Sequence, residues 1–444
     1  MLWLQLSSED KMYGTSKGLT GAMVKKEYLK VRVLGNGADG VVTKWIHKDS
    51  GHCIAIKTVI GSERHSYSTA ALSTEIIWAN RIQCEQIVSL LGFDEHWDPP
   101  PAAFLEYCDL GDAYHYAKKI RKDYGILPEQ TVWKFFADVV KGLDYLHSNS
   151  LIHGDLKPEN VMVCKPRGSQ IGPHFMPDFK IGDLSRCVTY PPQHSDEWGG
   201  TWEFAPPVEE RKIRNMTPAV DIFALGASIQ QLALDRYPVM SWEKFQAEYD
   251  KKYGRYVKWG IQDRAAHMWR EQIPVYYRPL NVHTVELCDK WDFPVEKFQV
   301  KPQRRPFSDA LNAWYTCCWT EDPSERSTAA ELVKYFLPRA EEQLAIYGAK
   351  REVIQKVDNV DEAKRSVVRP DFSFGQQPST NRPKSHHQPF SFEPTCTPPS
   401  NQHLEVDKLF GALGEQFKCM TIEDSEAPQP KSRNPRLFPS DSTL

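Results

Sequence analysis

Gly35-Asn36-Gly37-Ala38-Asp39-Gly40-Val41-Val42 is the first stretch whose residue types suggest chemistry. Glycines lack a Cβ, so a hairpin built from them brings its backbone close to phosphate groups. The same composition also describes a plain Gly-rich turn, and position separates the readings. A dinucleotide-binding fold needs a helix directly after the glycines, whereas VVTKWIHK alternates as a strand. Further on, Ala55-Ile56-Lys57 closes an apolar strand run. A lysine there usually lays its stem along the strand and its charge in water, but Glu75, on the next predicted helix, offers it a carboxylate partner. Asp155, Lys157 and Asn160 then stand at D-x-K-x-x-N spacing in Ile152-His153-Gly154-Asp155-Leu156-Lys157-Pro158-Glu159-Asn160-Val161, and Asp183 follows in Lys180-Ile181-Gly182-Asp183-Leu184-Ser185. Each feature alone is common. Their joint order along one chain is not.

The elements that must hold these residues are legible from periodicity. YLKVRVLG, VVTKWIHK and HCIAIKTV read as three strands between Tyr28 and Val59, separated by Gly-rich or Asp-Ser-Gly turns. Residues 68–82 fit a helix, and 86–91 and 102–107 two more strands. Over 128–147, Val132, Phe135, Phe136, Val139, Val140, Leu143 and Leu146 fall at the spacing of one buried helix face. Short strands at 161–164 and 178–182 bracket an insertion, residues 165–177, expected to loop into solvent. Helices resume at 218–234, 241–253, 307–319 and 328–337. A β-rich segment followed by a longer helical one predicts two lobes. Residues 1–26 read as a flexible lead-in, and 236–306 is too long for a simple connection, so it is taken as an elaboration of the second lobe. From about 350 the chain turns to Pro, Ser, Gln and Asn, a composition that buries too little surface to offset the entropy of ordering.

With order, spacing and elements together, the chain resembles the catalytic domain of eukaryotic-type protein kinases over roughly 28–338. The resemblance implies an α+β bilobal fold within 27–339: a small β-rich N-lobe (27–107), a hinge (106–112) and a larger, mainly helical C-lobe (113–339). It implies ATP and magnesium as cofactors. Gly35, Asn36, Gly37 and Gly40 would cover the phosphates, and Glu75 would hold Lys57 against the α- and β-phosphates. Asp155 would accept the hydroxyl proton or orient the nucleophile, Lys157 would neutralise the transferring γ-phosphate, and Asn160 and Asp183 would bind magnesium. Leu105 resembles the gatekeeper, with the backbones of Glu106 and Cys108 facing adenine, Asp112 at the ribose, and Val42, Ala55 and Met162 around the ring. Gly200-Thr201-Trp202-Glu203-Phe204-Ala205-Pro206-Pro207 is similar to the end of an activation segment. Asp221 with Gly226 matches the helix that supports the catalytic loop, and Arg326 the structural arginine of the C-lobe. Lys157 together with Thr201 is the serine/threonine pattern, implying phosphate transfer to those hydroxyls on protein substrates.

The departures from the family pattern are specific. Gly154 replaces the arginine that usually precedes the catalytic aspartate and pairs with a phosphorylated activation loop, so activity is expected not to depend on modifying Thr189, Tyr190 or Ser195. Asp183-Leu184-Ser185 replaces Asp-Phe-Gly. Leu184 is expected to fill the apolar position, while Ser185 would cost about 1–2 kcal/mol in a left-handed conformation. Pro207 stands where a glutamate would pair with Arg326, leaving Glu209 or Glu210 as substitutes. These departures motivate a rival reading, a pseudokinase serving as a nucleotide-binding scaffold. A small-molecule kinase of related fold is a third, opposed by the Gly200–Pro206 segment.

The 444 residues are 41% hydrophobic and 25% charged with a net charge of −3, which offers no general electrostatic case for nucleic acid or an anionic membrane. No apolar run approaches the roughly 18 residues that span a bilayer, and MLWLQLSSEDK lacks the basic start of a secretory signal. The ten cysteines form no C-x-x-C pair, and adjacent Cys317 and Cys318 suit buried helix thiols better than a metal site or disulfide. A reducing compartment, cytoplasm or nucleus, is the expectation. In the tail, Val406, Leu409, Phe410, Leu413 and Phe417 could form an apolar helix face for a docking partner, against which Gly411 and Gly414 each weigh about 1 kcal/mol.

Overall fold

The β-branched runs of the first lobe pair into one antiparallel sheet. The computed structural model describes residues 18–37, 40–59, 67–98, 101–166, 176–193, 198–239, 245–247, 250–251, 277–290, 306–320 and 322–348. Strands β1 (Tyr28–Gly37), β2 (Gly40–His47), β3 (Cys53–Thr58), β4 (Leu90–Asp94) and β5 (Ala102–Glu106) lie in the order β1-β2-β3-β5-β4. A helix, α1 (Gly21–Glu27), precedes them within the stretch read as a flexible lead-in. Thr20 caps it by accepting the Met23 N–H at 3.3 Å, and Val24 is buried with Ile54, Ile56 and Phe104. Seven residues with so few apolar positions are too short to show a helical period. The fourth strand also differs from its predicted span of 86–91. Residues 86–88 bond to Ile181 of the other lobe (Val88 N–H to Ile181 O and Ile181 N–H to Gln86 O, both 2.8 Å), and the sheet strand starts only at Leu90.

After α2 (Tyr67–Arg81) and the sheet, the chain becomes helical. The end of α3 (Ala113–Tyr124) is set by Gly125 at φ 81°, a left-handed position that glycine takes without steric cost. All seven apolar positions predicted for the buried face of α4 (Glu129–Ser148) are buried. In α5 (Ala219–Leu234) every residue from Val220 onward is buried, which is why that segment reads as apolar all round. A Cβ at its Gly226 would lie 2.8 Å from Cys318 and 3.0 Å from the Trp319 indole nitrogen, so the glycine permits the close approach of residues 317–319. Cys317 and Cys318 sit in a 3-10 turn after the helix Asp309–Thr316, not within the helix itself, and only Cys318 is buried. Two short ladders, β6 (Leu151–Ile152) with β9 (Val188–Thr189) and β7 (Val161–Cys164) with β8 (Asp178–Ile181), carry the loops between them. The result is the expected α+β, two-lobed arrangement. Among the described residues, no helix is long and apolar enough to cross a membrane.

Most of 236–306, the centre of the 165–177 insertion, Ser195, most of the predicted helix 241–253 and the tail with Val406–Phe417 lie outside the described residues.

Arg326 finds its partner in Glu210. The Glu210 N–H donates to Pro207 O at 3.0 Å, and this turn carries the carboxylate inward, where it accepts from both guanidinium nitrogens at 2.7 and 2.9 Å. Glu209 instead faces solvent and pairs with Lys212. Because both buried partners are satisfied, removing one strands the other. Glu210→Ala is expected to lower stability by about 3–5 kcal/mol in denaturant unfolding, while Glu209→Ala leaves the midpoint unchanged.

Candidate active site

The loop between β6 and β7 owes its shape to a carboxylate on α5. Asp221, 1% exposed, accepts the His153 N–H at 2.8 Å, the Gly154 N–H at 2.9 Å and His147 Nε2 at 2.9 Å. Burial pushes its carboxyl upward, but His147, His153 and the Gly154 N–H outweigh that and hold it below the usual range. His153 accepts the Asp155 N–H at Nδ1 (3.3 Å), which leaves Nε2 to donate to Gly182 O at 3.0 Å. The loop bearing Asp155 and the loop bearing Asp183 are thus tied through one imidazole.

Asp155 is nearly saturated with donors. Its Oδ1 accepts the Thr201 N–H at 2.6 Å, and its Oδ2 accepts from Lys157 Nζ and Asn160 Nδ2, both at 3.0 Å. Of roughly four acceptor positions on a carboxylate, one remains. Lys157 Nζ also donates to Thr201 Oγ1 at 2.6 Å. Asn160 Nδ2 further donates to the Asp155 carbonyl at 2.8 Å, so both amide protons are engaged and only its carbonyl oxygen can face a ligand.

Lys57 on β3 joins the two lobes. Its ammonium lies 2.6 Å from Glu75 Oε2 on α2 and 3.0 Å from Asp183 Oδ1. Burial would lower its pKa, yet the two carboxylates outweigh burial and hold it above the ordinary lysine range. For Asp183 burial raises the carboxyl, and Lys57 foremost, with Ser185 and His153, more than reverses it, leaving it depressed. The left-handed residue in this loop is Asp183 itself, at φ 56° and ψ 72°, and Ser185 sits in a 3-10 turn, Leu184–Arg186, with no positive φ. The strain expected at Ser185 therefore falls two residues earlier, on a residue type that tolerates this region better than most. Leu184 is buried in the main core, as its apolar role requires.

The nucleotide-facing residues are distributed as follows. Among the described residues, a Cβ at Gly35 or Gly37 would meet nothing within 4 Å, whereas one at Gly40 would lie 2.3 Å from Thr58 O. The first two glycines leave room above the sheet, and Gly40 serves packing against β3. Asn36 pairs with Val41 across the hairpin. Val42 lies opposite Lys57, Ala55 opposite Leu105, and Met162 bridges to Asp112. The Glu106 N–H is already taken by Ser89 O at 2.9 Å, and its carboxylate holds Lys180 at 2.7 Å, so that residue is a tie between lobes as well as part of the hinge. Cys108 is half-buried, and the neighbouring Cys164 thiol together with burial pushes its own thiol up. Asp112 caps α3, its Oδ1 accepting the His115 N–H at 2.8 Å. His147, His153 and Lys180 were not singled out from sequence. His153 stood inside the quoted motif, but its task depends on a carbonyl far along the chain.

Among the described residues no group of three or more His, Cys, Asp and Glu is placed to hold a metal ion. The Asn160 carbonyl oxygen and the Asp183 carboxylate nevertheless fit a hard divalent cation shared with phosphate oxygens, the manner in which magnesium is usually held.

A lysine bridged to two carboxylates, a carboxylate ringed by Lys, Asn and Thr, and a glycine hairpin above them describe a phosphotransferase-type site on a two-lobed fold. A model of the protein kinase domain matches residues 28–336, and the chain belongs to that family. Among curated proteins it is 24% identical over 328 residues to mitogen-activated protein kinase kinase mkk2 of Aspergillus fumigatus, covering 72% of this chain and 56% of that one. It is 29% identical over 222 residues to serine/threonine-protein kinase ATG1c of Arabidopsis thaliana, covering 49% and 28%. With mitogen-activated protein kinase kinase 7 of the same plant it shares 26% over 215 residues, 48% and 65%. The chain thus spans 28% to 65% of the length of these three relatives.

Because the Asp221 pKa is lowered on folding, its contribution is fully present above the ordinary aspartate value of about 3.9 and is lost as pH falls through the folded value. Asp221→Asn cannot accept from every donor that faces it, so it is expected to destabilise by about 3 kcal/mol at pH 7. In urea titrations the gap from wild type narrows below about pH 4.

Proposed function

We propose that this chain transfers the γ-phosphoryl group of ATP, with magnesium, to serine and threonine hydroxyls of protein substrates. The observation that carries the reading is the convergence of Lys157, Asn160 and the Thr201 N–H on Asp155, which leaves one acceptor position of that carboxylate for an incoming hydroxyl. In the transfer, the hydroxyl oxygen forms a bond to the γ-phosphorus while the bond to the β–γ bridging oxygen breaks and ADP departs. Asp155 orients the hydroxyl and accepts its proton. Lys157, hydrogen-bonded to both Asp155 and Thr201, places positive charge where the transferring oxygens gather, and Lys57, fixed by Glu75, does so for the α- and β-phosphates. Asn160 and Asp183 would hold magnesium, which supplies charge neutralisation of the phosphates. The preference for hydroxyl amino acids rests on Lys157 and Thr201, hydrogen-bonded to each other, and on relatives whose names specify serine/threonine kinases.

The test is radiolabel transfer from ATP with magnesium to a generic Ser/Thr substrate. Asp155→Asn is expected to lower the rate roughly 10²–10⁴-fold with nucleotide binding retained. Equal background transfer by both proteins, with nucleotide still bound, would establish the scaffold reading instead. Transfer to a small metabolite but not to the peptide would favour the small-molecule class. With Gly154 in place of an arginine, a Thr189/Tyr190/Ser195 triple alanine variant is expected to keep its activity; complete loss in a folded protein would refute that independence.

A further inference from the structure

We infer that Trp198 is a positioning residue: its indole wedges the Gly199–Gly200 turn against the catalytic loop and so holds Thr201 on Asp155. The indole packs on a small apolar cluster of Ile152, Met216 and Val220, flanked by Val188 and Ile213. Its outer side meets Trp202 edge-on, ring centres 5.2 Å apart, and the Arg211 guanidinium lies over both rings at 5.4 and 5.0 Å. Gly200 lies directly against both this indole and the catalytic loop. A Cβ there would lie 2.4 Å from Gly154 O and 2.6 Å from Cζ2 of Trp198. At Gly199 a Cβ would stand 3.3 Å from Arg186 Cδ, and at Gly154 (φ +76°) 2.8 Å from Arg186 O. Gly154 and Gly200 therefore let three backbone segments touch directly, Gly199 faces the Arg186 side chain, and the indole packs against Gly200.

The residue after this clamp is Thr201, whose N–H and hydroxyl make the 2.6 Å contacts with Asp155 and Lys157. One peptide unit separates the wedged glycine from the group that orients the catalytic carboxylate, so displacement of the first is displacement of the second. The hold is apolar and steric, and it requires neither an arginine at position 154 nor a phosphate on the segment. This is a physical basis for activity without modification, and it rests on the phosphotransferase reading above.

The experiment uses the full chain, verified unphosphorylated by mass spectrometry, as wild type and as Trp198→Ala, Trp198→Phe and Gly200→Ala. Trp198→Ala is expected to lower kcat roughly 100-fold with the KM for ATP changed less than about twofold, and Trp198→Phe to recover most of the loss. Gly200→Ala adds one methyl at the contact without emptying the cluster, and is expected to give the same split. Hydrogen exchange supplies a readout independent of activity: amides of 198–205 lose protection in Trp198→Ala while those of 53–58 keep it. Wild-type kcat and protection in Trp198→Ala would overturn the proposal, as would a loss that kcat, ATP KM and exchange everywhere share. If wild type shows no transfer, the phosphotransferase reading fails, and exchange alone decides the wedge.

Discussion

A carboxylate removed from water has to be surrounded by donors, because an unpaired buried charge costs more than a domain of this size can carry. Asp221 is such a group, and the donors it collects are the His153 and Gly154 N–H groups and His147 Nε2. Satisfying it fixes the turn at 153–154, and the turn fixes the direction in which Asp155 leaves the loop. The His153 ring, oriented by the Asp155 N–H on one side, bonds Gly182 O on the other. One buried charge on α5 therefore sets the placement of two carboxylates far apart in sequence, one on each side of the site.

The second organising contact is between lobes. Lys57 offers one ammonium to two carboxylates, Glu75 from α2 and Asp183 from the loop after β8. Each carboxylate alone would form a simple pair; together they require α2 and the Asp183 loop to approach the same point of β3. The left-handed backbone of Asp183 persists because its surroundings fix it on both sides, the usual condition for strain of about 1–3 kcal/mol to survive at a functional site. Beside it, the Glu106–Lys180 pair and the backbone bonds of Gln86 and Val88 to Ile181 repeat the connection nearer the hinge.

Much of this was legible in the sequence for reasons that can be named. The periodic face of α4 and the alternation of β2 and β3 follow directly from burial. The grouping of Lys57, Glu75, Asp155, Lys157, Asn160 and Asp183 followed from family resemblance, and the structure brings Lys57, Glu75 and Asp183 into one set of contacts and Asp155, Lys157, Asn160 and Thr201 into another. What stayed hidden depended on pairing between distant segments. That Glu210 and not Glu209 meets Arg326 is decided by a turn at Pro207, and the left-handed residue near 183–185 is the one that meets Lys57. The cap role of Asp112 is a local hydrogen-bond choice and the Glu106 N–H is taken by the distant Ser89 carbonyl, and residue type alone leaves both open. α1 was too short for its period to register.

The clamp of Gly154 against Arg186 O and Gly200 also constrains how this sequence could have changed. A side chain at 154 meets a carbonyl at 2.8 Å and a left-handed backbone at φ +76°, and a side chain at 200 meets the carbonyl of 154. An arginine at 154 therefore requires the backbone of neighbouring segments to separate, and that separation opens the contact between Gly154 and Gly200. Holding this segment by charge and holding it by close packing thus call for different backbone spacings.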